Sequence, residues 1–276
     1  MRRPLIVPVL ADSVTAVPAG AGGAVLVSGS HGGLYPAACA LRLRVAAAVF
    51  SDAGFGLADA GVAGLELLER HGVAAAAVSH KSARIGDARD LLARGRISAA
   101  NRIARACGLE PGQRLEGVWQ RLAQAPGAPP AAAPRLEEGR HVLAAACGPR
   151  VSMLDSNAMV GQDDVGAIVL TGSHGGLPGG RPASAIRQAV FAAFYNDAGV
   201  GIDAAGIGRL PALDARGIAG IAVDAFSARI GDGLSTYHDG VASHVNTTAA
   251  AHGARAGMKA SAIVEVLREA WCKQYP

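Results

Sequence analysis

The chain has 276 residues, of which 50% are hydrophobic and 17% charged, and its formal net charge is +4. With a mean hydropathy of +0.26 it can bury a sizeable core, which argues against global disorder. It has no uncharged apolar run of about 18 residues, so a membrane span is not expected. The arginines are scattered without interleaved aromatics, so nucleic-acid binding is not expected either.

The cysteines and the N-terminal segment indicate the cellular setting. The segment MRRPLIVPVLA faintly resembles a signal peptide, but the Asp12-Ser13 pair that soon follows recurs inside the chain as Asp155-Ser156. We therefore interpret this segment as part of the fold. The cysteines form no CxxC pair, which favours a reduced, cytoplasmic protein over a disulfide or zinc framework; they are Cys39, Cys107, Cys147 and Cys272.

Strands and helices are predicted to alternate through the first half. Short apolar runs typical of buried strands occur at 23–28, 45–51 and 73–79. A helix-like segment follows the first run, and 59–72 is predicted to be a helix that ends at a glycine. Further helices are predicted after residue 87, including one at 117–125.

The same order returns in the second half. Buried strands are predicted at 166–171, 190–196 and 218–224, with helices at 203–217 and 261–271. Strands separated by helices in this way favour parallel βαβ units with right-handed crossovers. The segment 125–139, rich in proline and alanine, is predicted to be a linker.

Motifs repeat at a constant spacing along the chain. GSHGG occurs at 29–33 and 172–176, and SARIGD occurs at 82–87 and 227–232, so the copies lie 143 and 145 residues apart. Such agreement indicates internal duplication. We therefore predict an α/β fold of two tandem duplicated βαβαβα units, as parallel, Rossmann-like three-layer lobes related by pseudo-two-fold symmetry. The predicted domains are residues 1–124 and 140–276, joined by the linker 125–139.

Each repeated motif begins where a predicted strand ends. Ligands of open α/β sheets bind at the carboxyl ends of strands, so GSHGG, DAG and SARIGD are expected to converge there. In GSHGG, the backbone N–H groups of the glycines are candidates to hold an anion or an oxyanion; these are Gly32, Gly33, Gly175 and Gly176. Its serines and histidines are candidates for nucleophile and base, namely Ser30, Ser173, His31 and His174. The alternative is a plain strand-to-helix turn.

The DAG motif supplies Asp52 and Asp197, which are expected to orient the histidine, to act as acid or base, or to cap a helix. Asp203, a further candidate for substrate binding, follows only in the second copy, and its counterpart in the first copy is Ala58. Residues 199–204 also fit GxGxxA, so nucleotide binding is an alternative for this loop.

SARIGD carries an arginine in each copy, Arg84 and Arg229. Its planar fork suits a carboxylate or phosphate, and a buried Arg–Asp pair is the alternative. Further candidates for substrate binding are Lys81, Ser82, Ser227 and Asn246. Asn246 and Ser243 are predicted to lie one helical turn apart, as are Asn101 and Ser98.

The favoured function is an enzyme that hydrolyses an amide or ester bond in a small carboxylate- or phosphate-bearing metabolite, in the cleft between the lobes. An isomerase or lyase is the next alternative, followed by metal-assisted hydrolysis through His174, Asp197 and Asp232 and by a non-catalytic binder of small anions or nucleotides. No cofactor is expected, apart from a divalent metal in the metal-assisted alternative, and self-association is left open.

Overall fold

The computed structural model describes residues 7–125, 134–143 and 148–274. The predicted linker and Cys147 therefore lie partly or wholly outside the described residues. The chain divides into two compact units. The first comprises Met1–Gly54, Asp59–Leu136 and Gly201–Asp203, and the second comprises Phe55–Ala58, Glu137–Val200 and Ala204–Pro276.

The first unit is built on a five-stranded sheet whose strands follow one another in chain order. The first four strands are parallel and the fifth is antiparallel to the fourth. The strands are β1 (Val9–Ala11), β2 (Val25–His31), β3 (Ala47–Ser51), β4 (Ala74–Val78) and β5 (Ile97–Ala100).

Helices cover both faces of this sheet, because successive strand residues alternate between two hydrophobic clusters. Val25, Val27 and Val49 belong to one cluster, whereas Leu26 and Phe50 belong to the other. The second cluster includes α1 and α2, and the first includes α3 and α4. These helices are α1 (Leu34–Arg42), α2 (Gly64–Arg70), α3 (Ala88–Arg94) and α4 (Arg102–Ala106), with 3-10 helices at Val14–Ala16, Leu57–Asp59, Leu115–Gly117 and Trp119–Gln124.

The second unit has a six-stranded sheet, again in chain order. Its four middle strands are parallel, and an antiparallel strand lies at each edge. Edge strand β6 is anchored because Arg140 contacts the buried Asp164 at 2.7 Å. The strands are β6 (Arg140–Leu143), β7 (Val151–Leu154), β8 (Ile168–His174), β9 (Ala192–Asn196), β10 (Ala219–Val223) and β11 (Ala242–Val245).

The helices of the second unit differ from those of the first after GSHGG. The position of α1 is taken by two short 3-10 helices, Pro178–Gly180 and Pro182–Ser184. The remaining helices are α5 (Arg209–Asp214), α6 (Gly233–His238), α7 (Thr247–Ala251) and α8 (Ala260–Gln274), with 3-10 helices at Asn157–Met159, Gln162–Asp164 and Ile202–Ile207. No helix among the described residues is long and apolar enough to cross a membrane.

The mixed α/β class is confirmed, but two details of the prediction are wrong. The strand order shows no reversal, so the sheets lack the switch point that defines a Rossmann-like fold. Ser98 and Ser243 lie on antiparallel edge strands and not on helices. The segments ISAA and ASHV are too short for periodicity to separate strand from helix, and pairing with β4 and β10 decides their structure.

Candidate functional site

The repeated motifs of the first unit lie together along the carboxyl edge of its sheet. The register places His31 beside Ser51, and Ser51 beside Val78, so three neighbouring strands end level. Asp52 follows the second of these strands, and its N–H donates to Val78 O at 2.8 Å. The loops that follow these three strands therefore start side by side at the same edge of the sheet, and they contain Gly32-Gly33 of GSHGG, the DAG motif and SARIGD.

The serine of GSHGG holds a neighbouring loop. Ser30 Oγ accepts from the N–H of Val14 at 2.9 Å, and Ser173 Oγ accepts from Asn157 N–H at the same distance. Adjacent strand residues also point to opposite faces, so Ser30 and His31 do not form a nucleophile–base pair. Ser30 and Ser173 are therefore structural groups and are not carried into the proposed mechanism.

The histidine of GSHGG is fixed in one tautomer. Gly33 N–H donates to His31 Nδ1 at 3.1 Å, which leaves the ring proton on Nε2. Burial lowers the pKa of His31 to about 4, so the ring is neutral at pH 7. Gly176 N–H donates in the same way to His174 Nδ1 at 3.1 Å. His31 thus presents an N–H donor and not a base.

The glycine N–H groups that were predicted to hold an anion already donate hydrogen bonds within the protein. Gly32 N–H donates to Ser51 O at 3.0 Å, and Gly175 N–H donates to Asn196 O at 2.8 Å. Gly33 and Gly176 donate to the histidines, and a Cβ on Gly33 would lie 2.6 Å from His31 Nδ1. Close packing is the reason for these glycines, because none of the four has a positive φ.

The main cluster at this edge is a pair formed by Asp52 and His80. Asp52 Oδ1 accepts from His80 Nδ1 at 2.9 Å, from His80 N–H at 2.9 Å and from Gly54 N–H at 3.0 Å. The side chains are only 2% and 12% exposed for Asp52 and His80 respectively. Burial by itself would raise the pKa of Asp52, but these hydrogen bonds and the charge of His80 outweigh it and lower the pKa.

The orientation of His80 follows from this geometry. An ionised carboxylate only accepts hydrogen bonds, so Nδ1 of His80 donates a proton to it and Nε2 is the nitrogen on the other side of the ring. No hydrogen bond to Nε2 is found from any residue that the structure describes. An imidazole oriented by a carboxylate at Nδ1, with Nε2 available, is the arrangement of a general base.

The second unit has the carboxylate of this pair but not the histidine. Asp197 Oδ1 accepts from Gly199 N–H at 2.9 Å and from Ala225 N–H at 3.0 Å. Ala225 occupies the place that His80 has in the first unit. The two copies therefore share the loop-fixing bonds, and only the first adds an imidazole.

The loop after each of these aspartates has an unusual backbone. Residues 53–56 have φ values of +48°, +74°, +64° and +70°, and residues 198–201 have +50°, +72°, +62° and +72°. Left-handed conformations cost a residue with a side chain about 1–2 kcal/mol each. Such strain persists only where the surroundings hold it, and it is concentrated at functional sites. This left-handed backbone also makes residues 199–204 different from a dinucleotide-binding turn, in which the chain enters a helix directly.

The arginines of SARIGD are engaged by their own motif. Arg84 Nη2 donates to Asp87 and Asp90, both at 3.2 Å, and Arg229 Nη2 donates to Asp232 at 3.0 Å. Both arginine side chains are nearly half exposed, at 44% and 47%, so these Arg–Asp pairs are not buried ones.

Asp232 also caps α6 by accepting from Ser235 N–H at 2.8 Å. Within the described ranges, no group of three or more His, Cys, Asp or Glu side chains is placed to hold a metal. The metal set His174, Asp197 and Asp232 is therefore not formed. Asp197 and Asp232 instead bind backbone N–H groups.

Three other predicted residues have structural positions. Ser82 Oγ accepts from Arg96 N–H and Ser227 Oγ accepts from Val241 N–H, so each ties its loop to the next strand. Asn246 lies at the amino end of β10, where it accepts from Gly220 and Ala249 N–H groups and donates to two carbonyls. It is therefore away from the carboxyl edge.

Lys81 and Asp203 differ from these residues. Lys81 is exposed beside His80, and no ion pair joins it to any described residue. Asp203 belongs to the first unit and accepts from Arg94 Nη2 at 2.6 Å. Lys81 is thus available for an anion, whereas Asp203 is engaged with an arginine.

No protein-family model, curated protein or solved structure matches the chain. Its function is therefore argued from the side chains of the site. The histidine that Asp52 orients is His80, not the His31 expected from the motif. The signal that could have found it was the replacement of His80-Lys81 by Ala225-Phe226 just before the unchanged SARIGD motif.

Proposed function

We propose that the chain is an enzyme that uses general acid–base catalysis at the carboxyl edge of its first unit. His80 is the base and Asp52 orients it. The substrate is a small metabolite that carries a carboxylate or phosphate, and the favoured reaction is hydrolysis of an amide or ester bond.

The observation that carries this proposal is the nearly buried Asp52–His80 hydrogen bond. A structural pair would need only to satisfy its two polar groups, but here the outer nitrogen of the imidazole, Nε2, has no hydrogen-bond partner among the described residues. Strained left-handed residues also follow Asp52 directly. Both features are expected where a base must be held in one orientation.

Two neighbouring residues supply the other requirements. Lys81 follows His80 and offers a cation for the substrate anion. His31 ends the strand next to β3 and offers its Nε2–H, and a neutral imidazole of this kind stabilises a developing oxyanion. This role replaces the backbone cradle that the glycines cannot provide.

In the proposed reaction, His80 Nε2 takes a proton from water while the water oxygen attacks the carbonyl carbon. The carbonyl oxygen gains the negative charge and accepts from His31. Collapse of this intermediate breaks the bond to the leaving nitrogen or oxygen, which receives the proton from His80. No serine nucleophile is required.

An isomerase or lyase is the second candidate, because the same base would remove a proton from a carbon next to a carbonyl group. A non-catalytic anion binder would use Lys81 but would have no need of an oriented imidazole. A substrate panel separates these classes.

We also propose that the two units arose by duplication. Equivalent bonds support this proposal: Asp12 Oδ1 accepts from Ala88 N–H at 3.1 Å, and Asp155 Oδ1 accepts from Gly233 N–H at 3.0 Å. The pseudo-two-fold relation, the cytoplasmic location and self-association stay predictions from the sequence.

The experiment is a screen of small carboxylate and phosphate amides and esters, together with carbon acids, followed by kinetics of two variants. His80→Ala should lower kcat by about 10²–10⁴-fold, and Lys81→Ala should raise KM. Ala225→His is the matched control, because it places an imidazole at the equivalent position of the second unit. Binding without turnover across the panel, or full activity in His80→Ala, would overturn the proposal.

A further inference from the structure

A group of charged side chains surrounds the loop that carries His80. Arg94 Nη2 donates to Asp203 at 2.6 Å, and Arg94 Nε donates to Asp90 at 2.8 Å. Arg84 Nη1 lies 3.6 Å from the same Asp203 carboxylate. These contacts lie within the first unit, to which residues 201–203 belong. Two arginine side chains thus converge on Asp203.

The segment that Asp203 ends rests directly on His80. Ile202 N–H donates to His80 O at 2.8 Å. Gly201 packs so closely that a Cβ there would lie 2.8 Å from His80 O and 3.5 Å from His80 Cβ. Asp203 itself has a φ of +57°. The same backbone contact occurs in the second unit, where Leu57 N–H donates to Ala225 O at 2.8 Å and Ala58 takes the place of Asp203. The loop therefore forms this contact by itself, and the Arg94–Asp203 bond is an addition made where His80 lies.

The second unit keeps Arg229 in the place of Arg84 but has none of the other groups at the equivalent positions. Where the first unit has His80, Asp90 and Arg94, the equivalent positions hold Ala225, Ser235 and Asp239, and Ala58 is equivalent to Asp203. Ser235 and Asp239 instead bond to each other at 2.7 Å. The Arg94–Asp203 contact therefore occurs only where an imidazole must be positioned.

We propose that Asp203, held by Arg94, is a positioning residue for the Asp52–His80 pair. This inference rests on the proposed function. The Arg94–Asp203 bond adds a side-chain anchor to the Ile202–His80 backbone contact, and the anchored backbone directs Nδ1 of His80 at Asp52. This positioning role replaces the substrate-binding role that the sequence alone predicts for Asp203.

The experiment reads the imidazole directly. The ring nitrogen and Nδ1-proton resonances of His80 are assigned in the full chain with His80→Gln, and they report the tautomer and the bond to Asp52. Asp203→Ala should lose the Nδ1-proton resonance and give mixed tautomers, and kcat should fall about tenfold with KM unchanged. Arg94→Ala should cause the same changes as Asp203→Ala, whereas Arg94→Lys should keep most of the Nδ1-proton signal and of kcat.

Asp59→Ala is the matched control. Asp59 is exposed, has a left-handed φ of +52° and forms no ion pair among the described residues. It therefore tests the loss of an aspartate from a left-handed position without the loss of an arginine contact. If Asp203→Ala fails to fold, Asp203→Asn and Arg94→Ala make the same test from each side of the contact.

Unchanged His80 resonances in a folded Asp203→Ala variant would overturn the positioning role. Altered resonances in Asp203→Ala, combined with full activity in His80→Ala, would instead sustain the positioning and overturn the proposed function. The spectroscopic result decides the inference even before a substrate is known.

Discussion

The Asp52–His80 contact should appear as a coupling free energy between the two residues. The test is a double-mutant cycle of Asp52→Ala, His80→Ala and the pair. His80→Ala recreates the local sequence of the second unit, where Asp197 faces Ala225 and the loop keeps its two amide bonds. The single variant is therefore expected to fold.

The magnitude follows from the bonds that each change removes. His80→Ala removes one charge-assisted hydrogen bond, which costs about 1.5–3 kcal/mol. Asp52→Ala leaves three donors without their acceptor and should cost about 3–5 kcal/mol. With the histidine absent, the same change should cost only what Asp197→Ala costs in the second unit. The expected coupling is thus about 1.5–3 kcal/mol.

Urea unfolding measures the cycle without any substrate. Trp119 is buried in the first unit, so a Trp271→Phe background gives a fluorescence signal from that unit alone. A coupling below about 0.5 kcal/mol, the error of such cycles, would show that the imidazole is not bound by Asp52 and would remove the basis of the proposed mechanism.

Three further predictions concern stability. The pKa of His31 is about 4 in the folded protein and about 6.5 in the unfolded chain, so about 3 kcal/mol of stability that is present above pH 6.5 should be lost as the pH falls toward 4. Urea unfolding measured as a function of pH should show this loss. The loss should be smaller in His31→Gln and unchanged in His244→Gln. Gly29→Ala places a Cβ 2.6 Å from Asp12 O and should lower the free energy of unfolding by about 1–3 kcal/mol, while Gly117→Ala, with open space around it, should leave the Tm nearly unchanged. Asn246→Ala should cost about 2–4 kcal/mol in the same assay, because buried groups at both ends of its amide lose their partner; a loss below about 0.5 kcal/mol would contradict its structural role.

Local sequence determined the elements whose signals are local. The six buried strands predicted from apolar runs are present because a short run of alanine and valine between glycines packs on both faces of a sheet. The glycines that end the predicted helices, Gly72 and Gly217, have φ values of +73° and +65°, as a helix C-terminus requires. The DAG motif follows β3 and β9 directly, but β2 and β8 continue through the first three residues of GSHGG, past the predicted strand ends.

Tertiary structure alone decided which polar groups remain available. GSHGG has the composition of a catalytic loop, yet Val14 and Gly33 take up its serine and histidine acceptors. Those partners come from a neighbouring loop and from the backbone, so no spacing rule reveals them. The pairing of Asp52 with His80 likewise depends on adjacent strands ending level. Residue types can therefore be read along the chain, but their hydrogen-bond partners are set by neighbours that only the folded sheet brings together.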